Sequence, residues 1–187
     1  MHKDIALSFL EDLKIFDDKN KDRRFVSAEE EIVYKKNINA REISFGGRID
    51  RIDEKNKRLI LCDYKTGGTE EDFKGIEGLF DGSKKDRAKY LFQIMFYAWL
   101  LWEGQDINVE IMYVHSLKSK NYENKIYTST ADTHKDFDEC MKKLIKNLFD
   151  TDETKVWEPQ SKEHICTYCD YQTLCPNNEI ENEDDTI

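Results

Sequence analysis

Asp50, Asp63 and Lys65 are the residues of this chain whose types and spacing point most directly to chemistry. They fall in residues 46–67, GGRIDRIDEKNKRLILCDYKTG, where two apolar–polar runs (47–53 and 58–64) flank a charged, turn-forming stretch at 54–57. That is the pattern of a β-hairpin. Side chains alternate along a strand, so Asp63 and Lys65 share one face. Carboxylates where a strand wants apolar residues cost desolvation and mutual repulsion, and a bound divalent cation is the simplest compensation. Carboxylate oxygens are hard donors that select magnesium or manganese over soft metals. Asp50 and Asp63 would each give one oxygen, and the Tyr64 backbone carbonyl another. Such a cation lowers the pKa of a bound water and neutralises charge developing at phosphorus. Lys65 would orient or deprotonate the attacking water, or stabilise that charge. A carboxylate from a neighbouring strand would complete the set, and the run Glu29, Glu30, Glu31 supplies one. By alternation Arg48 shares the face of Asp50, where it would reach a phosphate or pair with an acid, and Arg51 takes the opposite face. The bland alternative is an Asp-x-Lys ion pair at a strand end, solvated and without function.

The elements that must position these residues follow from periodicity. Residues 5–15 form an amphipathic helix with Asp4 as cap, 17–24 a charged loop, 25–36 a strand interrupted by the three glutamates, and 37–42 a turn into the hairpin. A glycine-rich loop follows Lys65 and leads to a helix at 84–103, so densely apolar that much of its circumference must be buried. Gly104 ends it. Two strands at 107–115 and 122–128 surround a polar turn, and Asp132 or Thr133 caps a last helix at 135–149. Cys62, in an apolar strand, belongs to the core. Helix, three strands, helix, two strands and helix make an α/β sandwich around a mixed sheet.

The whole stretch from about residue 25 to residue 102 resembles the PD-(D/E)xK nuclease superfamily, in particular its RecB-like and AddB-like branch. The family order is a glutamate on one strand, then G-x-I-D, D-Y-K-T-G and Q-x-x-x-Y on a following helix. Here these read Glu29-Glu30-Glu31-Ile32, Gly47-Arg48-Ile49-Asp50, Asp63-Tyr64-Lys65-Thr66-Gly67 and Gln93-Ile94-Met95-Phe96-Tyr97. The resemblance implies a restriction-endonuclease-like fold, with Asp50 and Asp63 as metal ligands and Lys65 as the catalytic lysine. Glu29 matches the family glutamate best, because Ile32 follows it by three, although strand parity leaves Glu30 and Glu31 open. Gln93 and Tyr97, four apart on one helix face, would line the site. Lys84, Lys85, Arg87 and Lys89, at or before that helix's start, would contact phosphates. The activity implied is a magnesium-dependent deoxyribonuclease, an exonuclease in repair and recombination. It would act on single-stranded DNA or duplex ends beside a helicase domain or subunit. Two rivals are a noncatalytic DNA-binding scaffold and a zinc or iron–sulfur module with structural hairpin carboxylates.

Cys166, Cys169 and Cys175, followed by Pro176, are three soft ligands within ten residues, suited to zinc or an iron–sulfur cluster. In the resembled family such a triplet binds a [4Fe–4S] cluster with a fourth cysteine from upstream of the nuclease core, and this chain has none before Cys62. Three accounts stay open: an upstream partner in a longer protein, His164 as the fourth ligand of a zinc site, or free thiols. A histidine on an N-terminal helix joins the metal shell in many relatives, and that element is missing here: His2 begins a helix but stands at the terminus without the expected preceding glycine.

With 187 residues, the chain has room for one nuclease core (1–157), a cysteine knuckle (158–178) and a disordered tail (179–187). The net charge is −10, and residues 177–187 carry five acids and no base. That sign argues against a nonspecific nucleic-acid coat protein but leaves room for a local basic groove. No apolar run approaches the roughly 20 residues of a membrane span, and the N-terminus lacks a signal-peptide core. Cytoplasm, at the bacterial nucleoid, is the expected location.

Overall fold

A computed structural model describes residues 2–65, 73–81, 88–113, 123–149 and 169–170. Helix α1 (His2–Lys19) is followed by three consecutive strands, β1 (Arg24–Ile38), β2 (Arg41–Lys55) and β3 (Arg58–Lys65). Both strand connections are two residues long. Asn39, Ala40, Asn56 and Lys57 have φ of 51°, 61°, 53° and 64°, the backbone of primed hairpin turns, whose twist matches that of the flanking strands. Strands β4 (Ile107–Tyr113) and β5 (Glu123–Ser129) complete a five-stranded sheet in the order β1-β2-β3-β4-β5. Neighbours are antiparallel except β3 and β4, which run parallel with Asp63 opposite Ile111 and Lys65 opposite Tyr113. A parallel neighbour requires a crossover, and α2 (Ile76–Phe80) and α3 (Lys89–Leu100) lie within it. The architecture is the expected α/β one, a mixed sheet flanked by helices.

Helix α3 reads KYLFQIMFYAWL, and the density of apolar residues foreseen for it is realised in the core. Its Leu91, Ile94 and Ala98 share one apolar cluster with Leu61, Val109 and Ile111 of the sheet. Phe137, Met141 and Ile145, at four-residue spacing on α4 (Ala131–Leu148), belong to the same cluster. Each fully buried side chain of this size contributes about 1.5–3 kcal/mol, so the cluster fixes α3 to the sheet.

Several boundaries differ from the periodicity reading. Helix α1 extends past residue 15 to Lys19, and Asn20 closes it by donating from Nδ2 to the Phe16 carbonyl at 2.8 Å. Helix α2, only five residues long, was hidden among glycines; Ile76 and Leu79, three apart, are the apolar pair that buries it. Helix α4 starts at Ala131 because Thr130, rather than Asp132 or Thr133, caps it. The Thr130 N–H donates to Thr133 Oγ1 at 2.6 Å and the Thr133 N–H to Thr130 Oγ1 at 3.3 Å, a reciprocal arrangement like a capping box.

Residues Met1–Leu148 form one packed unit and Phe149–Ile187 another. Cys166, Cys175, His164 and the acidic tail lie outside the described residues, as do Lys84, Lys85, Arg87 and the side chain of His2. Cys169 is described and is an exposed free thiol. Among the described residues, no helix is long and apolar enough to cross a membrane.

Candidate active site

The hairpin brings its acids together through the backbone. Asp50 and Asp63 face each other across β2 and β3, one step beyond the last ladder pair, Arg51 with Cys62. The Tyr64 N–H donates to Asp50 Oδ2 at 2.8 Å, which pins that carboxylate beside the Asp63 strand. Asp63 is buried, and Lys65 Nζ lies 2.7 Å from its Oδ2. The energetic problem of two carboxylates on one sheet is therefore met by a backbone donor on one and an ammonium on the other.

The same ammonium donates to Gln93 Oε1 at 3.1 Å, and Gln93 Nε2 donates to the Tyr97 hydroxyl at 3.3 Å. The chemistry of Lys65 dictates this amide orientation: turned over, Gln93 would set two donors against each other. Tyr97 is buried against β2 at Gly47. Sheet and helix are thus joined through Lys65, Gln93, Tyr97 and Gly47, all four drawn from the motifs read in the sequence. Helical spacing also sets Tyr90 on the Gln93 face, and its ring centroid is 4.8 Å from Lys65 Nζ. The motifs did not mark Tyr90, although its three-residue offset from Gln93 could have.

Glu29 stands apart in its backbone. The β1–β2 register pairs Ala28 with Arg51 and Glu30 with Ile49, leaving Glu29 opposite Asp50, and Glu29 has a φ of 52°. A left-handed non-glycine residue costs about 1–3 kcal/mol. At this step the strands change face. Phe45 packs edge-on against Trp99 and Gly47 meets Tyr97, both on α3, whereas Arg51 reaches Phe16 and Asp17 of α1. Strict alternation would have set all three on one side. Arg48 accordingly does not share the Asp50 setting that alternation implied. Its guanidinium is exposed and engages Glu31 at 2.6 Å and Glu29 at 3.7 Å, which also keeps its charge favoured. Both glutamates are mostly exposed, and among the described residues no three histidine, cysteine or acidic side chains gather closely enough to hold a metal ion. The donor set on these adjoining strands is two carboxylates, Asp50 and Asp63, with the Tyr64 carbonyl directly after Asp63 in sequence.

The other face of β3 holds a charged network that no motif announced. Cys62 Sγ lies 4.0 Å from Glu110 Oε2, and Glu110 takes a 2.7 Å ion pair from Arg23. Arg51 bridges Asp53 and Asp17 at 2.9 and 2.7 Å. Burial, with Glu110 and Asp53 nearby, pushes the Cys62 thiol up, out of the reactive range. Burial likewise pushes the Tyr64 phenol up to about 12 despite Arg51. A cavity of about 510 Å³ opens on this network, lined by Arg23, Lys55, Arg58 and Glu110 among others. Its lining includes none of Asp50, Asp63 and Lys65, so chemistry rather than concavity identifies the site.

A mixed sheet bearing two strand-borne aspartates and a lysine, backed by a helical glutamine, defines a restriction-endonuclease-like α/β protein. Residues 2–176 match the family model of the PD-(D/E)XK nuclease superfamily. The chain belongs to that superfamily, whose members are generally nucleases. Its structure is similar to the crystal structure of SSO0001, with a TM-score of 0.49 at 15% identity, over 91% of this chain and 67% of that one. No curated protein matches the chain.

Proposed function

We propose that the chain is a magnesium- or manganese-dependent deoxyribonuclease domain of the RecB-like or AddB-like kind, working on DNA ends in repair and recombination. The observation that carries this reading is the Lys65 ammonium, held between Asp63 Oδ2 and Gln93 Oε1 while Asp50 is fixed beside it. Two hard carboxylates and a backbone carbonyl suit an oxygen-seeking cation, and Asp50, Asp63 and Tyr64 are the residues that would hold it. Glu29, opposite Asp50, would add a third carboxylate once turned away from Arg48. When bound, such a cation supplies Lewis-acid stabilisation of a phosphoryl oxygen and a more acidic water.

The chain's own groups do the rest. Lys65 presents a positive charge where the scissile phosphate gains negative charge, from a mostly buried position that makes the interaction strong. Gln93 and Tyr97 hold that ammonium in direction. Lys89, at the first turn of α3, is an exposed cation available to a neighbouring phosphate. The iron–sulfur or zinc centre assigned to Cys166, Cys169 and Cys175 rests on the sequence spacing. Visible absorption of anaerobically purified protein tests it, brown for iron–sulfur and colourless for zinc.

The deciding experiment for activity incubates labelled linear single- and double-stranded DNA with magnesium, manganese or EDTA. Wild type is expected to cleave only with metal, and Lys65→Ala to be slower on the order of a hundredfold or more. Metal-dependent cleavage that survives Lys65→Ala removes Lys65 from the mechanism, and no cleavage under any condition defeats the nuclease reading of this chain.

A further inference from the structure

Asp63 and Gln93 account for two of the directions in which the Lys65 ammonium is held; the ring of Tyr90 accounts for a third. Tyr90 is the second residue of α3, and its ring centroid lies 4.8 Å from Lys65 Nζ. The Lys65 side chain is only 17% exposed, although an ammonium is strongly hydrated in water. Lost hydration on that side has to be replaced, and the negative face of an aromatic ring replaces it in part. Lys89 Nζ lies 5.0 Å from the same centroid, but that residue is exposed. Cation–π attraction is stronger for the desolvated partner, so the ring acts chiefly on Lys65.

We propose that Tyr90 is a positioning residue for Lys65: its ring, rather than its hydroxyl, keeps the ammonium against Asp63 and Gln93 and shields it from water. The proposal rests on the reading of Lys65 as the lysine that meets the phosphate, and it adds a helix residue that no motif contains. Without the ring, the four-carbon side chain regains freedom to turn toward solvent.

Amine labelling at a fixed pH, with the Lys65 peptide quantified by mass spectrometry, reads the hold on the ammonium without any need for activity. Tyr90→Leu is expected to raise the labelling rate of Lys65 about tenfold, and Tyr90→Phe to return it toward the wild-type rate. In DNA cleavage, Tyr90→Leu is expected to lower kcat about tenfold with KM little changed, and Tyr90→Phe to rescue most of that loss. Equal labelling of Lys65 in wild type and Tyr90→Leu overturns the proposal, as does a Tyr90→Phe variant as deficient as Tyr90→Leu. If Tyr90→Leu lacks a cooperative melt, Tyr90→Met keeps the bulk without the ring and is judged by the same two outcomes. A wild type that cleaves no DNA defeats the functional reading alone, because the labelling comparison still decides whether the ring holds Lys65.

Discussion

Gly47 governs the site by lacking a side chain. A Cβ there would stand 2.5 Å from Tyr97 Cε1 and 2.9 Å from its hydroxyl, and the ring is enclosed by the core, with little room to retreat. Gly47→Ala is therefore expected to displace Tyr97, release Gln93 and let Lys65 drift. The overpacking should cost about 1–3 kcal/mol of stability, measurable by urea titration. Cleavage should fall more than the folded fraction does. Adding Tyr97→Leu should restore much of the stability and none of the rate, which separates packing from positioning. The glycine was legible as a motif letter, but its reason lies on a helix fifty residues downstream. Asp50, Asp63 and Lys65 were readable from their spacing on the hairpin, and Gln93 and Tyr97 from the family motif that their four-residue separation matches. The setting of Arg48 was not, since β2 changes face between Gly47 and Arg51, opposite the left-handed Glu29 of β1, a step that local spacing does not reveal.

Strand β3 is loaded on both sides, with Asp63 and Lys65 toward α3 and Cys62 toward the Arg23–Glu110 pair. That pair anchors the end of α1, where Phe16 lies 5.2 Å from the Arg23 guanidinium. Burial is the largest influence on the Arg23 charge and opposes it, but the bond and charge of Glu110, with Cys62 and Asp53, together raise the pKa. Arg23→Met would take from buried Glu110 the cation that pairs with it at 2.7 Å, at a cost of about 3–5 kcal/mol. Arg23→Met with Glu110→Leu should recover most of that loss in urea unfolding. At the other end of the β1–β2 ribbon, Lys36 sits over Trp99 at 4.4 Å, and His134 stacks on Trp102 at 4.6 Å. Burial, then the Lys36 charge, lowers the His134 pKa, with Asp138 opposing. The folded state thus favours the neutral ring. Stability is full above the ordinary histidine value of about 6.5 and is lost as pH falls from there toward the lowered folded value. The urea midpoint should decline across that interval, and His134→Gln should flatten the decline. Asp22 and Asp138, both lowered, give up their share only in the more acidic carboxylate window. Strands and main helices were legible from periodicity. An ion pair spanning 87 residues was not, because nothing local distinguishes a buried Arg23 or Glu110 from a solvated one.

Across the whole molecule, 39 acidic residues outweigh 29 basic ones, and several of the described cations are committed to acids of the chain itself. Arg23, Arg48, Arg51, Lys55 and Arg58 all have carboxylate partners. Element order showed the fold class because βαβ connectivity leaves few alternatives, whereas this internal pairing of charge depends on how the elements dock and left no trace in composition. A nucleic-acid strand approaching such a surface would meet net repulsion, offset under the proposed function by Lys65 and the cations at residues 84–89. Single-strand affinity falls with salt at a log–log slope of about −0.7 per phosphate contacted. Contacts by Lys65, Lys89, Lys84, Lys85 and Arg87 would give a slope of about −3 to −4, shallow beside a basic DNA-binding protein. Fluorescence anisotropy with a labelled single-stranded oligonucleotide in EDTA, between about 50 and 200 mM salt, measures it. Removing Lys84, Lys85 and Arg87 together should bring the slope to about −1 to −2, three contacts at about 0.7 each. If the triple variant keeps the wild-type slope, the strand does not pass the start of α3, and the phosphate path must run along another edge of the sheet.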